Sequence, residues 1–218
     1  MPRHARSIRR QGGSSLLFTL MAMIVLAFAA VALTRSVDTS TLIMGNLGFK
    51  QDTLMASNVA AERAISWLQG QVTGASLDND QAASGYYAAT PARLDPSGNK
   101  TNAGDKYSLI DWDGDNCASV PSGNRLTCGL LPYSDPTLVN GNSVRYVILR
   151  LCNNTGAASG TNLCMRPAVA STATSSERGE LQPGGRISTT SASPYYQVIV
   201  RVTGPRNTVS YTETLVHF

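Results

Sequence analysis

The stretch that decides the reading is "RRQGGSSLLFTLMAMIVLAFAAVALTR", residues 9–35. A basic cluster and two glycines precede an uncharged run at 14–33, which is 20 residues long. As an α-helix rising about 1.5 Å per residue, that run reaches roughly 30 Å, one hydrocarbon thickness of a bilayer. Arg3, Arg6, Arg9 and Arg10 precede it with no acid among them, which favours a cytoplasmic N-terminal side. A cleaved secretory signal is the competing reading, since residues 16–26 are long enough for its apolar core and "AFAAVA" (27–32) offers small-x-small sites. Against it, the apolar run does not stop at these alanines, and no Pro or Gly breaks the helix before them.

The helical pattern also continues. Leu33, Val37, Ser40, Met44, Leu47, Gln51, Leu54, Asn58, Ala61, Ile65 and Leu68 follow one another at alternating spacings of four and three. Most are apolar, so they form an a/d-like seam on an amphipathic helix. Residues 34–69 contain no Pro, and one helix is expected from about 15 to about 69. Gly45 and Gly48 each cost about 1 kcal/mol relative to Ala and are candidates for a bend or a segment that melts. The chain therefore divides into 1–13 ahead of the run, an apolar helix half at 14–33, an amphipathic half at 34–69, and a head at 70–218.

Composition points to the cell envelope. Only 15% of residues are charged, and the net charge of +4 lies in the first 13 residues: without those four arginines, 14 basic residues face 14 acidic ones. A nucleic-acid surface would need its Lys and Arg clustered on the folded part, so no nucleic-acid partner is expected. Four cysteines behind an export-like segment read as two disulfides. Of the three possible pairings, Cys117–Cys128 and Cys152–Cys164 are favoured, because each encloses a short Gly/Asn/Ser-rich loop. A zinc site would be the alternative, but the spacings lack a C-x-x-C knuckle and no His lies near them.

In the head, "KYSLIDW" (106–112), "SVRYVILRLC" (143–152), "YYQVIVRVTG" (195–204) and "TVSYTETLVHF" (208–218) alternate and are rich in β-branched residues, as strands are. The second is apolar on both faces, which suits a central strand. "GPRN" (204–207) has the length of a hairpin turn. Residues 70–105 read as irregular, and 153–193 as a polar surface excursion anchored at Cys152 and Cys164. Trp67 and Trp112 are expected in the core between helix and sheet. The expected fold is α+β, with the long helix packed on an antiparallel sheet of about four strands.

Catalytic material is sparse. The two histidines are His4 and His217, and there is neither a P-loop nor a G-x-G-x-x-G, so no enzyme activity and no cofactor are expected. "DWDGDN" (111–116) places Asp111, Asp113 and Asp115 like the start of a calcium loop. The sixth position is Asn116 rather than Gly and the twelfth is Ser122 rather than Glu, so an acidic turn beside a disulfide is the favoured reading.

The leader-like "RRQGGSSLLFTL" and the element "MGNLGFKQDTLMASNVAAERAISWL" (44–68) together resemble the prepilin class, and within it the PilX-type minor pilins of type IV pili. Met44-Gly45-Asn46 and Ala60-Ala61-Glu62 carry the second element, and the C-terminal 195–218 is similar to that family's closing strands. The resemblance covers about 9–69 and the tail, not 70–190. It implies cleavage by a prepilin peptidase between Gly13 and Ser14, with Gly12–Gly13 as the alternative, and N-methylation of the new terminus. The anchor is then kept: Leu16, Leu20 and Ile24 hold the inner membrane, N-terminus in the cytoplasm, before export into an extracellular pilus. Phe18 would occupy the fifth mature position, where most pilins carry a Glu that pairs with a neighbour's amino terminus. Without that Glu the subunit suits the tip, where it would prime assembly and support adhesion or twitching. The implied partners are other minor pilins, the major pilin and a large tip adhesin. A type II secretion pseudopilin shares these features, and a soluble periplasmic binding protein with a cleaved signal is the reading from another class.

Overall fold

The computed structural model describes residues 14–100, 105–158, 161–167 and 193–218. One helix, α1 (Ser14–Gln71), is 58 residues long. It runs through Gly45 and Gly48, where nothing lies within 4 Å of the position a Cβ would take. By internal contacts the chain forms two compact units, 1–49 and 50–218. Among the described residues the first is helix alone.

The second unit is a layered α+β head. Among the described residues eight strands follow α1: β1 (Tyr86–Tyr87), β2 (Leu94–Asp95), β3 (Tyr107–Ile110), β4 (Arg125–Leu130), β5 (Tyr133–Ser134), β6 (Ser143–Arg150), β7 (Tyr196–Thr203) and β8 (Val209–Val216). The main sheet has the order β1-β6-β7-β8, with β5 also on β6. The expected strands at 143–152, 195–204 and 208–218 are β6, β7 and β8, and a short 3-10 turn at Pro205–Asn207 closes the β7–β8 hairpin.

The sheet is not purely antiparallel. β1 runs parallel to β6, with Tyr86 opposite Ile148, whereas β5, β7 and β8 are antiparallel to their neighbours. The physical reason is the edge of β6. Its even-numbered residues aim their backbone groups away from β7, and buried backbone groups need partners. Ile148 N–H donates to Gly85 C=O at 2.8 Å, and Asp135 N–H donates to Val144 C=O at 3.1 Å. Two short segments thus share one edge. Gly85 itself has φ +67°, and a Cβ there would stand 2.6 Å from Tyr133 N and 2.8 Å from Tyr146 O. Only glycine fits so close an approach.

β3, the strand expected at 106–112, lies outside the main sheet. It forms a second, all-parallel sheet in the order β2-β3-β4. This sheet answers the two-faced apolar pattern of β6. Val144, Tyr146 and Ile148 face one core with Val198, Val200, Val202 and the helix. Val147 and Leu149 face the other, with Ile199, Ile110, Leu130 and Trp112. Trp112 therefore packs on the face of the sheet opposite the helix, contrary to expectation, because β3 delivers it there. Trp67 packs against the helix-side core, its ring 5.6 Å from that of Tyr86.

The helix stripe that the head buries is also displaced from the expected seam. Thr53, Ala56, Ser57, Ala60, Ala61, Ala64 and Leu68 are buried, whereas Leu54 and Asn58 are exposed. Small side chains let the helix backbone lie close to the sheet, and the larger Leu54, Met55 and Val59 turn outward. Both polar members of the stripe are satisfied: Ser57 Oγ donates to Leu54 C=O at 2.8 Å, and Thr53 Oγ1 lies 3.1 Å from Ser210 Oγ.

Candidate functional site

The apolar start of α1 is the most unusual surface of the molecule. Leu16 and Phe18 are 72% and 73% exposed, and Leu20 and Ile24 are 57% and 47% exposed. None of the most apolar window is buried by the described residues, and the helix is long and apolar enough to cross a membrane. In water this surface would cost roughly 1.5–3 kcal/mol for each large side chain left bare. The one side-chain hydroxyl deep in the run, that of Thr19, donates to Leu16 C=O at 2.9 Å, and Thr34 does the same to Val31. A helix that also satisfies its hydroxyls internally has no polar group left to expose to hydrocarbon. Gly12 and Gly13, the proposed cleavage residues, lie outside the described residues, as does most of the 153–193 excursion, from 168 to 192.

Farther along, Met44, Gly45, Asn46 and Glu62 are exposed on α1. Ile43, Leu47, Leu54, Met55 and Val59 are exposed apolar side chains on the same helix.

Both favoured disulfides are present, Cys117–Cys128 and Cys152–Cys164. The first pins the loop after β3 to β4. The second joins the end of β6 to the start of the following excursion, and Met165 N–H extends this junction by donating to Leu151 C=O at 2.7 Å.

The three aspartates of the calcium-like motif do not converge on one point. Both oxygens of Asp111 accept backbone N–H groups, from Asp115 and Asn116, each at 3.0 Å. Asp113 turns the other way and pairs with Arg201 at 2.8 Å and Arg145 at 3.3 Å. The Asp111 carboxylate lies near the Cys117 and Cys128 sulfurs, but these form a disulfide and offer no thiolate. The motif is a loop-shaping turn.

Sequence reading missed the ion-pair framework of the head. Arg150 is buried at the C-terminal end of β6 and donates to Asp78, Ala88 C=O and Gly156 C=O. Arg63 on α1 pairs with Asp135, whose carboxyl sits below its usual range: burial pushes it up, but the Thr137 N–H and the Arg63 guanidinium outweigh burial. Asp52 accepts from Asn142 Nδ2 at 2.7 Å. No sequence signal marks the Arg150–Asp78, Arg63–Asp135 and Asp52–Asn142 pairings, whose members lie 72 to 90 residues apart.

A cleft of about 310 Å³ lies between the two sheets, bordered by Asp95, Asp111, Trp112, Asp113, Arg201 and Tyr211. Several of its polar groups are turned into their own loops. Asp95 accepts the N–H groups of Ser97 and Lys100, and Trp112 Nε1 donates to Pro96 C=O at 2.7 Å. The Ser97 hydroxyl also donates to Asp95 Oδ1, at 3.0 Å.

Compared with known protein families, curated proteins and solved structures, the chain shows no match.

Proposed function

We propose that this chain is a minor pilin of a type IV pilus, acting at or near the filament tip to prime assembly and to support adhesion or twitching. One observation carries the reading. A single helix opens with a run whose large apolar side chains bury nothing within the chain and ends with a stripe of small residues that the head buries. A disposable secretion signal has no need of a helix that continues into the folded core. A retained anchor does, because the same rod must serve a membrane first and a bundle of neighbouring rods later.

On this reading a prepilin peptidase cuts before Ser14, and residues 14–33 hold the subunit in the inner membrane with its head outside. Extraction into the pilus exchanges lipid for the helices of other minor pilins and of the major pilin. The exposed side chains of Ile43, Met44, Leu47, Leu54, Met55 and Val59 continue that contact surface toward the head. Phe18 supplies no carboxylate for the amino terminus of a following subunit, which suits a position with no subunit beyond it. A large tip adhesin is the partner expected there. The head, cross-linked by two disulfides, suits the oxidising space outside the membrane.

The test is a clean deletion strain scored for pili, twitching and protein secretion. Loss of surface pili and twitching with secretion intact supports the proposal. Loss of secretion with pili intact would assign the chain to a type II secretion pseudopilus instead.

A further inference from the structure

The last strand, β8, is the edge of the main sheet, and its outer side has no strand partner among the described residues. Two backbone bonds fix which of its groups face outward. Leu151 N–H donates to Tyr195 C=O and Gly204 N–H donates to Thr208 C=O, both in register with their ladders. Hydrogen-bonded pairs alternate along an antiparallel ladder. Ser210, Thr212, Thr214 and Val216 therefore bond to β7, and Val209, Tyr211, Glu213 and Leu215 aim their N–H and C=O groups away from the sheet.

An open edge of this length is normally blunted. Proteins place Lys, Pro or a bulge there, because bare strand edges recruit other chains. β8 has none of these: "VSYTETLV" (209–216) is regular in register over all eight residues, β-branched at four positions and free of Lys, Pro and Gly. The side chains of the same four residues stand on the sheet face away from the helix, and Val209, Tyr211 and Leu215 among them are exposed and apolar. Its single charge, Glu213, stands among them, held by a 2.7 Å hydrogen bond from Gln197 Nε2.

We propose that the outer edge of β8 accepts an extended strand from a different protein chain, one that carries a basic residue where it passes Glu213. Backbone bonding at the four outward positions supplies affinity, and alternate side chains supply selectivity, as in other strand-addition sites. A second copy of this chain is the poorer occupant. β8 contains no Lys or Arg, so pairing along β8 offers Glu213 no counter-charge, whereas opposite charges across a ladder are favourable and unmatched ones are not. The assignment concerns the head and stands independently of the anchor reading.

The test uses the full chain in detergent micelles, with amide hydrogen exchange followed residue by residue. The probe is a soluble peptide of about ten residues that alternates Thr and Val around one central Lys, with a Glu-centred peptide as its control. In the chain alone, the amides of 209, 211, 213 and 215 should exchange fast and those of 210, 212 and 214 slowly. The Lys peptide should slow the outward set by at least about tenfold and the Glu peptide less. Glu213→Lys should reverse that preference. Leu215→Pro, which removes one outward donor without touching the β7 ladder, should weaken binding while 210, 212 and 214 stay protected. The proposal is overturned if neither peptide slows the outward amides, or if they are slow in the chain alone. Slowing on concentrating the chain without peptide would overturn it in favour of a second copy.

Discussion

Arg150 and Asp78 form a buried-to-half-buried ion pair, Nη1 to Oδ1 2.9 Å, that ties the end of strand β6 to the segment just after α1. The guanidinium is 2% exposed and also satisfies the carbonyls of Ala88 and Gly156. Replacing it strands an acid and two acceptors in poor solvent. Arg150→Ala should lower the unfolding free energy by about 3 kcal/mol, measured by denaturant titration of the oxidised chain in detergent. An effect within about 0.5 kcal/mol would mean that water replaces the guanidinium without penalty.

The small-residue stripe makes an opposite pair of expectations. Ala60 is fully buried between α1 and the sheet, so Ala60→Leu should overpack that face and cost about 1–3 kcal/mol. Leu54→Ala on the exposed side should change head stability by no more than about 0.5 kcal/mol. The same titrations distinguish them, and the reverse ranking would restore the seam read from the sequence.

Asp135 gives the head an acid-sensitive tie to α1. Burial raises its pKa, and the Thr137 N–H and Arg63 more than reverse this, so the folded value is depressed. A depressed carboxylate contributes stability that is complete above its unfolded pKa and disappears as pH falls through the folded one. Asp135→Asn should therefore flatten the stability profile below about pH 4 and lower the plateau at neutral pH. At the alkaline end, burial pushes Tyr146 up to about 12, so its share of stability is complete below about pH 10 and fades as pH climbs toward 12. Tyr146→Phe should remove that alkaline loss.

Each disulfide closes a short loop, with 11 and 12 residues of separation. Loop-closure entropy for rings of this size predicts about 3 kcal/mol apiece. The Cys117→Ser/Cys128→Ser double variant should lose about that much and become insensitive to reductant at that loop. Thermal melts with and without reductant provide the check.

The legible parts of the fold are those with a local signal. An uncharged run marks α1 from its first turn, and alternation marks β6, β7 and β8 nearly to their ends. The illegible parts depend on distant partners. β1, β2 and β5 are two residues each, too short for any period to register. The parallel second sheet is set by which apolar face of β6 still needs covering, and so Trp112 lands away from the helix. The seam was misread because Leu and Met score as core, whereas the close approach of α1 to the sheet demands Ala. For the candidate site, the exposed helix could be read directly from its lack of charge. The outward edge of β8 could not, because only the strand order reveals which side of a strand has no neighbour.

The most direct test of the account is mass spectrometry of the mature N-terminus of the membrane-associated protein. The account predicts a chain that begins at Ser14 with a methylated amine and keeps all of 14–33. A mature chain starting near Ala30 or Thr34, soluble without detergent, would contradict it.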